Sequence, residues 1–475
     1  MVPAGEDVRL FRAGAHGCTV SGVEHLTSLD AGFLEAEDSD RHVSLAVGGL
    51  SIVEGPMPDI GTLAAGVADR VADIPRFRQV LRTHLLDLGP PEWEDDPDFD
   101  LSHHLHRAAL PGPGDDASLH RFVADVMERR LDRDRPLWEC WVIEGLAGGR
   151  WAVLIKIHHC IADGIATMRL FSRLGDAGDD AGYETEIRAA KQSADKSFSL
   201  PELSLNPLNW VGGMWRLATA ATKVSTLAVG GALQVAGGIL RPAETSSLNG
   251  PVSAMRRFSS AAVKLEDVAK ICDSFGVTVN DVALAAITSS YRAALVRRGE
   301  KPRRTSLRTL VPVSIRSNEA ADRTDNRVSL MLPALPADKE DPVEQLQAVH
   351  RRLSRAKGSG QREAGDIFVA ATSRIPFPLT AWAVRALTRL PQKGVVTLAT
   401  NVPGPRTRMT ILGRDVVRMV PIPPIALRLR TGVAIRSYAD ELVFGIIGDF
   451  DAAADIDELA RGIESAVETL VAAAG

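Results

Sequence analysis

His158 and His159, followed by Asp163 and Gly164, form the pattern HHxxxDG and are the residues of this chain best suited to proton transfer. Imidazole titrates near neutral pH, so such a ring can accept a proton from a hydroxyl and return it within one turnover. Asp163 could orient a histidine as a triad carboxylate does, or face outward into an ion pair. Gly164 permits a sharp turn, or leaves room where a side chain would obstruct one. Ordinary packing at a strand end would use the same residues, and spacing alone leaves both readings open.

The element that must present the pair is the run Trp151-Ala152-Val153-Leu154-Ile155, which alternates little and reads as a buried strand. Arg135-Pro136-Leu137-Trp138-Glu139 and the residues to Ile143 form its expected partner across a Gly148-Gly149 turn, a hairpin in which proline and tryptophan are structural. Cys160 neighbours His159, but adjacent residues at a strand end point in opposite directions, so it reads as packing rather than as half of a Cys-His dyad.

Thr278-Val279-Asn280-Asp281 is a second polar cluster with possible chemistry. Thr278 as cap and Asp281 at the third helical position fit a capping-box variant, which would use these residues only to start a helix. Asn280 would also lie at the positive end of that helix, where an amide donor aimed at a developing oxyanion gains field as well as geometry. His103, His104 and His106 raise a metal alternative; no carboxylate or cysteine follows at a suitable interval, so no metal is expected.

The chain has 475 residues, 45% of them hydrophobic and 24% charged, and a net charge of −5. That is a globular composition, long enough at roughly 150 residues per domain for two or three units, of which two are argued here. The charges are mixed in sign, which excludes a nucleic-acid field and any general attraction to anionic lipid. Four isolated cysteines, Cys18, Cys140, Cys160 and Cys272, indicate neither a zinc site nor a disulfide framework, and suggest a cytoplasmic setting. Residues 1–22 lack an apolar signal region and are expected to be a disordered extension. Residues 217–240 are rich in small residues and read as a packing helix rather than a membrane span.

Periodicity supports a mixed α/β organisation in two halves. The first, 23–175, contains a strand over 42–53, helices near 60–71 and 118–131, and the histidine hairpin. Residues 176–250 form a polar, Gly- and Ser-bearing linker with a helical segment. The second half, 251–475, has helices from about Glu266 to Arg297, strands near 306–316, 395–405, 431–438 and 442–449, and a final amphipathic helix over 455–472. Residues 377–390, with Trp382, Arg385 and Arg389, suit either an interfacial helix or an ordinary surface helix.

Four blocks together carry a resemblance: His158 to Gly164, Arg135 to Glu139, Val279-Asn280-Asp281, and Thr400-Asn401-Val402-Pro403-Gly404-Pro405. With Leu29-Asp30-Ala31-Gly32-Phe33-Leu34 and the run Asp325 to Pro333, they resemble the wax ester synthase/acyl-CoA:diacylglycerol acyltransferase family, in its mycobacterial triacylglycerol synthase form. HHxxxDG alone occurs also in condensation domains and chloramphenicol acetyltransferase, and the order of the four blocks separates them. The resemblance implies two chloramphenicol-acetyltransferase-like domains of mixed sheets and helices around a shared central tunnel. It implies transfer of an acyl group from acyl-CoA, a substrate rather than a cofactor, to diacylglycerol, with long-chain alcohols as further acceptors giving wax esters. His159 would be the general base and Asn280 an oxyanion donor. His158 would be structural, Asp163 would brace the loop against Arg316, and Gly164 would keep it open. The setting would be the cytoplasmic membrane face or a lipid-droplet surface. A carrier-protein-dependent acyltransferase of the same fold and a catalytically silent lipid-droplet protein remain the alternatives.

Overall fold

A computed structural model describes residues 24–72, 74–83, 89–161, 175–176, 246–314, 328–358, 395–426 and 428–475. Asp163, Gly164 and Arg316 lie outside these residues, as do 1–23, 177–245 and the candidate interfacial helix at 377–390. In chain order the first half comprises β1 (Glu24–His25), α1 (Ser28–Ser39), β2 (Ala46–Val53), α2 (Ile60–Ala72), β3 (Gln79–Arg82), β4 (Glu92–Asp95), β5 (Leu105–Ala109), α3 (Asp116–Met127), β6 (Trp138–Leu146) and β7 (Arg150–His158). The second comprises β8 (Arg256–Lys264), α4 (Leu265–Phe275), α5 (Val279–Arg297), β9 (Leu307–Ser314), β10 (Val328–Met331), β11 (Ala334–Leu335), α6 (Pro342–Gly358), β12 (Thr397–Val402), β13 (Thr410–Ile411), β14 (Arg414–Ile422), β15 (Thr431–Tyr438), β16 (Glu441–Asp449) and α7 (Ile456–Ala473).

The strands form two large sheets, as the α/β reading requires. One runs β13-β14-β2-β7-β6-β5; the other runs β10-β9-β12-β15-β16-β8, with β11 paired to β9. β6 and β7 are the expected antiparallel hairpin, and Gly148 and Gly149 turn it with φ of +78° and +68°. β7 is central to its sheet and its residues from Trp151 to His158 are all buried, which is why its sequence does not alternate.

The boundary at residue 251 does not separate the two sheets. After β12 in the second sheet the chain crosses to add β13 and β14 to the first, where β14 pairs with β2, then returns as β15. The sheets approach closely at this crossing: a Cβ on Gly445 of β16 would sit 1.7 Å from the Pro421 carbonyl oxygen of β14, so only glycine fits. Arg418 and Glu441 pair across it through two hydrogen bonds of 2.8 and 2.6 Å, and His120 of α3 meets Ser260 of β8 at 3.1 Å.

The stretch 75–106 contains β3 and β4, which join β1 in a separate three-stranded sheet whose strands are too short to show periodicity. The helix expected over 118–131 starts at Asp116, because Asp115 caps it by accepting from the Ser118 amide at 2.9 Å, and ends at Met127. α5 is buried along most of its length between the second sheet, α6 and α7. Among the described residues no single helix is long and apolar enough to cross a membrane.

Candidate active site

At the end of β7 the backbone is held on two sides. The His158 amide donates to the Leu137 carbonyl at 3.0 Å, and the His159 amide donates to the Leu45 carbonyl at 3.0 Å. Leu137 and Trp138 therefore belong to the scaffold of the histidine pair. Trp138 is buried, stacks between Phe77 at 4.7 Å and His104 at 4.6 Å, and donates its indole N–H to the Phe77 carbonyl at 2.8 Å. His104 donates Nδ1 to the Trp138 carbonyl at 2.8 Å, and His106 packs on Trp141 at 4.4 Å. These rings are engaged as aromatic packing.

The two histidines differ in their surroundings. His158 is 1% exposed; the Cys160 amide donates to its Nδ1 at 3.1 Å, so the neutral ring carries its proton on Nε2, which lies 3.6 Å from Glu37 Oε2. His159 is only partly buried and its ring stacks on Phe33 of α1, with centroids 4.1 Å apart and planes 19° apart. His158 is therefore the enclosed ring of the pair and His159 the more open one.

Glu37 completes this end of β7, and sequence reasoning missed it. Its Oε1 accepts from the Leu45 amide at 2.9 Å, and its Oε2 accepts from Arg133 at 2.8 Å. Burial alone would push its carboxyl up, but the contact with His158, the Leu45 amide and Arg133 outweigh it and hold the carboxyl at about 2. Phe33 and Glu37 are spaced i, i+4 on one helix, and that spacing was the signal available in the sequence.

Cys160 is buried, and burial pushes its thiol well above the ordinary range, with Asp30 adding to the effect. It stays protonated and packs, as its position at the strand end implies.

The second cluster lies at the start of α5. The capping box is formed as expected: Thr278 Oγ1 accepts from the Asp281 amide, and Asp281 Oδ2 accepts from the Thr278 amide at 2.9 Å. Asp281 is buried and also accepts from His350 Nδ1 of α6 at 2.8 Å. Asn280 takes no part in the cap. Its Oδ1 accepts from Asn401 Nδ2 of β12 at 3.3 Å, an assignment that keeps the Nδ2 donor of Asn280 out of this bond. Two of the four blocks, at Asn280 and at Thr400 to Pro405, therefore meet. The loop after β12 lies tightly on β15: a Cβ on Gly404 would sit 1.9 Å from the Ser437 carbonyl oxygen, and the Gly404 amide donates to Ser437 Oγ at 3.0 Å.

A small, mostly apolar pocket of about 40 Å³ lies between α2 and the first sheet. Gly49 and Ser51 of β2 and Val153 and Ile155 of β7 line it, along with Leu412 and Met419. A more open groove of about 700 Å³, lined by Met57, Arg107 and Arg150, sits at the opposite end of β7, roughly 20 Å from the histidines at 3.3 Å per residue. It is remote from the chemistry and takes no part in the site.

Residues 26–283 match the model of the wax ester synthase/diacylglycerol acyltransferase catalytic domain, and residues 324–471 match the WS/DGAT C-terminal domain. The chain belongs to this family. It is 54% identical over 450 residues to a probable diacylglycerol O-acyltransferase of Mycobacterium tuberculosis, tgs1, covering 95% of this chain and 96% of the relative. The wax ester synthase/diacylglycerol acyltransferase of Marinobacter aquaeolei VT8 superposes with a TM-score of 0.66 at 26% identity, over 95% of this chain and all of that one. The first condensation domain of the CDA synthetase shares the fold at a TM-score of 0.60 and 16% identity, over 96% and 98% of the two chains. The resemblance carried by the four sequence blocks and the two-sheet acyltransferase architecture are both borne out.

Proposed function

We propose that the chain is an acyl-CoA:diacylglycerol O-acyltransferase that transfers the acyl group directly, with His159 as general base. The family match and the mycobacterial relative support the reaction. The observation that carries the residue assignment is the division of labour at the end of β7, where His158 is enclosed by Glu37 and Cys160 while His159 is the more open ring.

The His159 imidazole takes the proton from the acceptor hydroxyl as its oxygen attacks the thioester carbonyl carbon. The oxyanion that forms is stabilised by a donor, for which Asn280 Nδ2 is suited by its place in the first turn of α5 and its fixation by Asn401. Collapse breaks the carbon–sulfur bond, and the departing CoA thiolate takes the proton back from the imidazolium. The products are ester and free CoA. Long-chain alcohols are accepted at the same hydroxyl position. The enzyme works at a lipid surface, where a diacylglycerol is presented.

The test offers purified protein labelled palmitoyl-CoA with diacylglycerol and hexadecanol in competition. Triacylglycerol as the main product supports this reading. Exclusive wax ester formation would replace the acceptor, and turnover only with a carrier-bound acyl group would replace the donor.

A further inference from the structure

α1 carries Phe33 and Glu37 one turn apart, and each touches a different histidine of the pair. Taking His159 as the base proposed above, we infer that Glu37 is a positioning residue for this reaction, acting through His158 and through Leu45 on the placement of His159. The geometry has two arms. In the first, the Cys160 amide occupies Nδ1 of His158, so the only proton of the neutral ring is on Nε2, and that atom faces Glu37 Oε2 at 3.6 Å. A carboxylate at that place selects the Nε2–H tautomer and fixes the ring. The fixed ring then holds the Cys160 amide, one residue beyond the base.

In the second arm, the other carboxylate oxygen holds the Leu45 amide at 2.9 Å, and the Leu45 carbonyl holds the His159 amide at 3.0 Å. A single residue therefore separates the Glu37 carboxylate from the main chain of the base. Both Glu37 and His158 are 1% exposed, and Arg133 at 2.8 Å neutralises the buried charge so that it can persist. The carboxylate is ionised throughout the working pH range, since its pKa is held at about 2. α1 thereby sets the base from two directions: Phe33 defines the plane of the His159 ring and Glu37 defines where its backbone stands.

A purely structural Glu37 would tie α1 to the Arg133 loop and affect stability alone, so the test reads catalysis and the His158 ring separately. Glu37→Gln keeps the shape and an acceptor but removes the charge. In the purified full-length enzyme, kcat should fall roughly 10- to 100-fold, as for sub-ångström misplacement of a catalytic group, with KM for palmitoyl-CoA unchanged. In 15N-histidine-labelled protein, the widely separated Nδ1 and Nε2 resonances of His158 should move toward each other as the tautomer preference is lost. In a His158→Asn background, adding Glu37→Gln should cost little more, because both changes remove one unit. Full kcat in Glu37→Gln, unmoved His158 resonances, or losses that multiply would each overturn the inference.

Should Glu37→Gln fail to fold, two variants at the other partner decide it. His158→Gln can present an amide N–H toward the carboxylate and accept from Cys160, so it should retain far more activity than His158→Phe, and equal losses would overturn the inference. The base is tested elsewhere, by His159→Ala. Full turnover there removes the base while leaving the His158 resonances in place, whereas a silent Glu37→Gln leaves the base standing.

Discussion

Replacing Asp281 with alanine removes an acceptor that serves the Thr278 amide at 2.9 Å, the Thr278 hydroxyl at 2.9 Å and His350 Nδ1 at 2.8 Å. The Asp281 amide still donates to Thr278 Oγ1, so only the carboxylate half of the capping box is lost, a charge-assisted bond from the Thr278 amide that contributes about 2–3 kcal/mol. His350 is 39% exposed, so water replaces its lost partner at little cost. The sum is about 2–3 kcal/mol. With an unfolding entropy of about 2.1 cal/mol/K per residue, a chain of 475 residues has about 1 kcal/mol/K, so Tm should drop by about 2–3 °C. Asp281→Asn retains an oxygen for the Thr278 amide and should lose about half as much. Because Asn280 sits in the turn that this cap holds, kcat should fall in Asp281→Ala while KM for acyl-CoA stays put. Differential scanning fluorimetry and steady-state kinetics on the two variants check this. A Tm within 0.5 °C of the parent in Asp281→Ala, or equal damage from both variants, would refute the reasoning.

Other perturbations probe the same account. Asn401→Ala frees the Asn280 amide to rotate, so kcat should fall several-fold with unchanged Tm; rates equal to the parent would separate the two motifs functionally. The Glu37 carboxyl lies at about 2 instead of its ordinary 4.5, a depressed acid whose stabilisation is present above pH 4.5 and lost as pH falls toward 2. The gap corresponds to about 3 kcal/mol. The difference in urea stability between the parent and Glu37→Gln should accordingly be large at pH 7 and shrink at pH 3, and a constant difference would contradict it.

Local chemistry was legible in the residues, and long-range assembly was not. The apolar run at 151–155 and the Gly148-Gly149 turn are sufficient for the hairpin, because a strand buried on both faces and a tight turn each leave a direct mark on composition. The capping box at Thr278 and Asp281 is likewise written in adjacent residues. Glu37 is different. Its role depends on α1 folding back beside a strand more than a hundred residues later, and a glutamate near a helix end reads as surface until His158 and Leu45 are in place. β14 is not among the strands that the sequence pattern marks, and nothing in Arg414 to Ile422 says that its partner is β2 rather than a neighbour in the second sheet. The meeting of Asn401 with Asn280 follows from the parallel pairing of β12 with β15 and β9, a topological fact with no local signal. Asp163 and Arg316, expected to brace the histidine loop, lie outside the described residues.

The central claim is that His159 takes the proton from the acceptor hydroxyl. Its most direct test is the rate of CoA release by purified His159→Ala with palmitoyl-CoA and diacylglycerol, measured beside its melting temperature. The account predicts a loss on the order of 10² to 10⁴ in kcat at unchanged Tm, the usual contribution of a positioned base. Near-parental CoA release from a folded His159→Ala protein would contradict it.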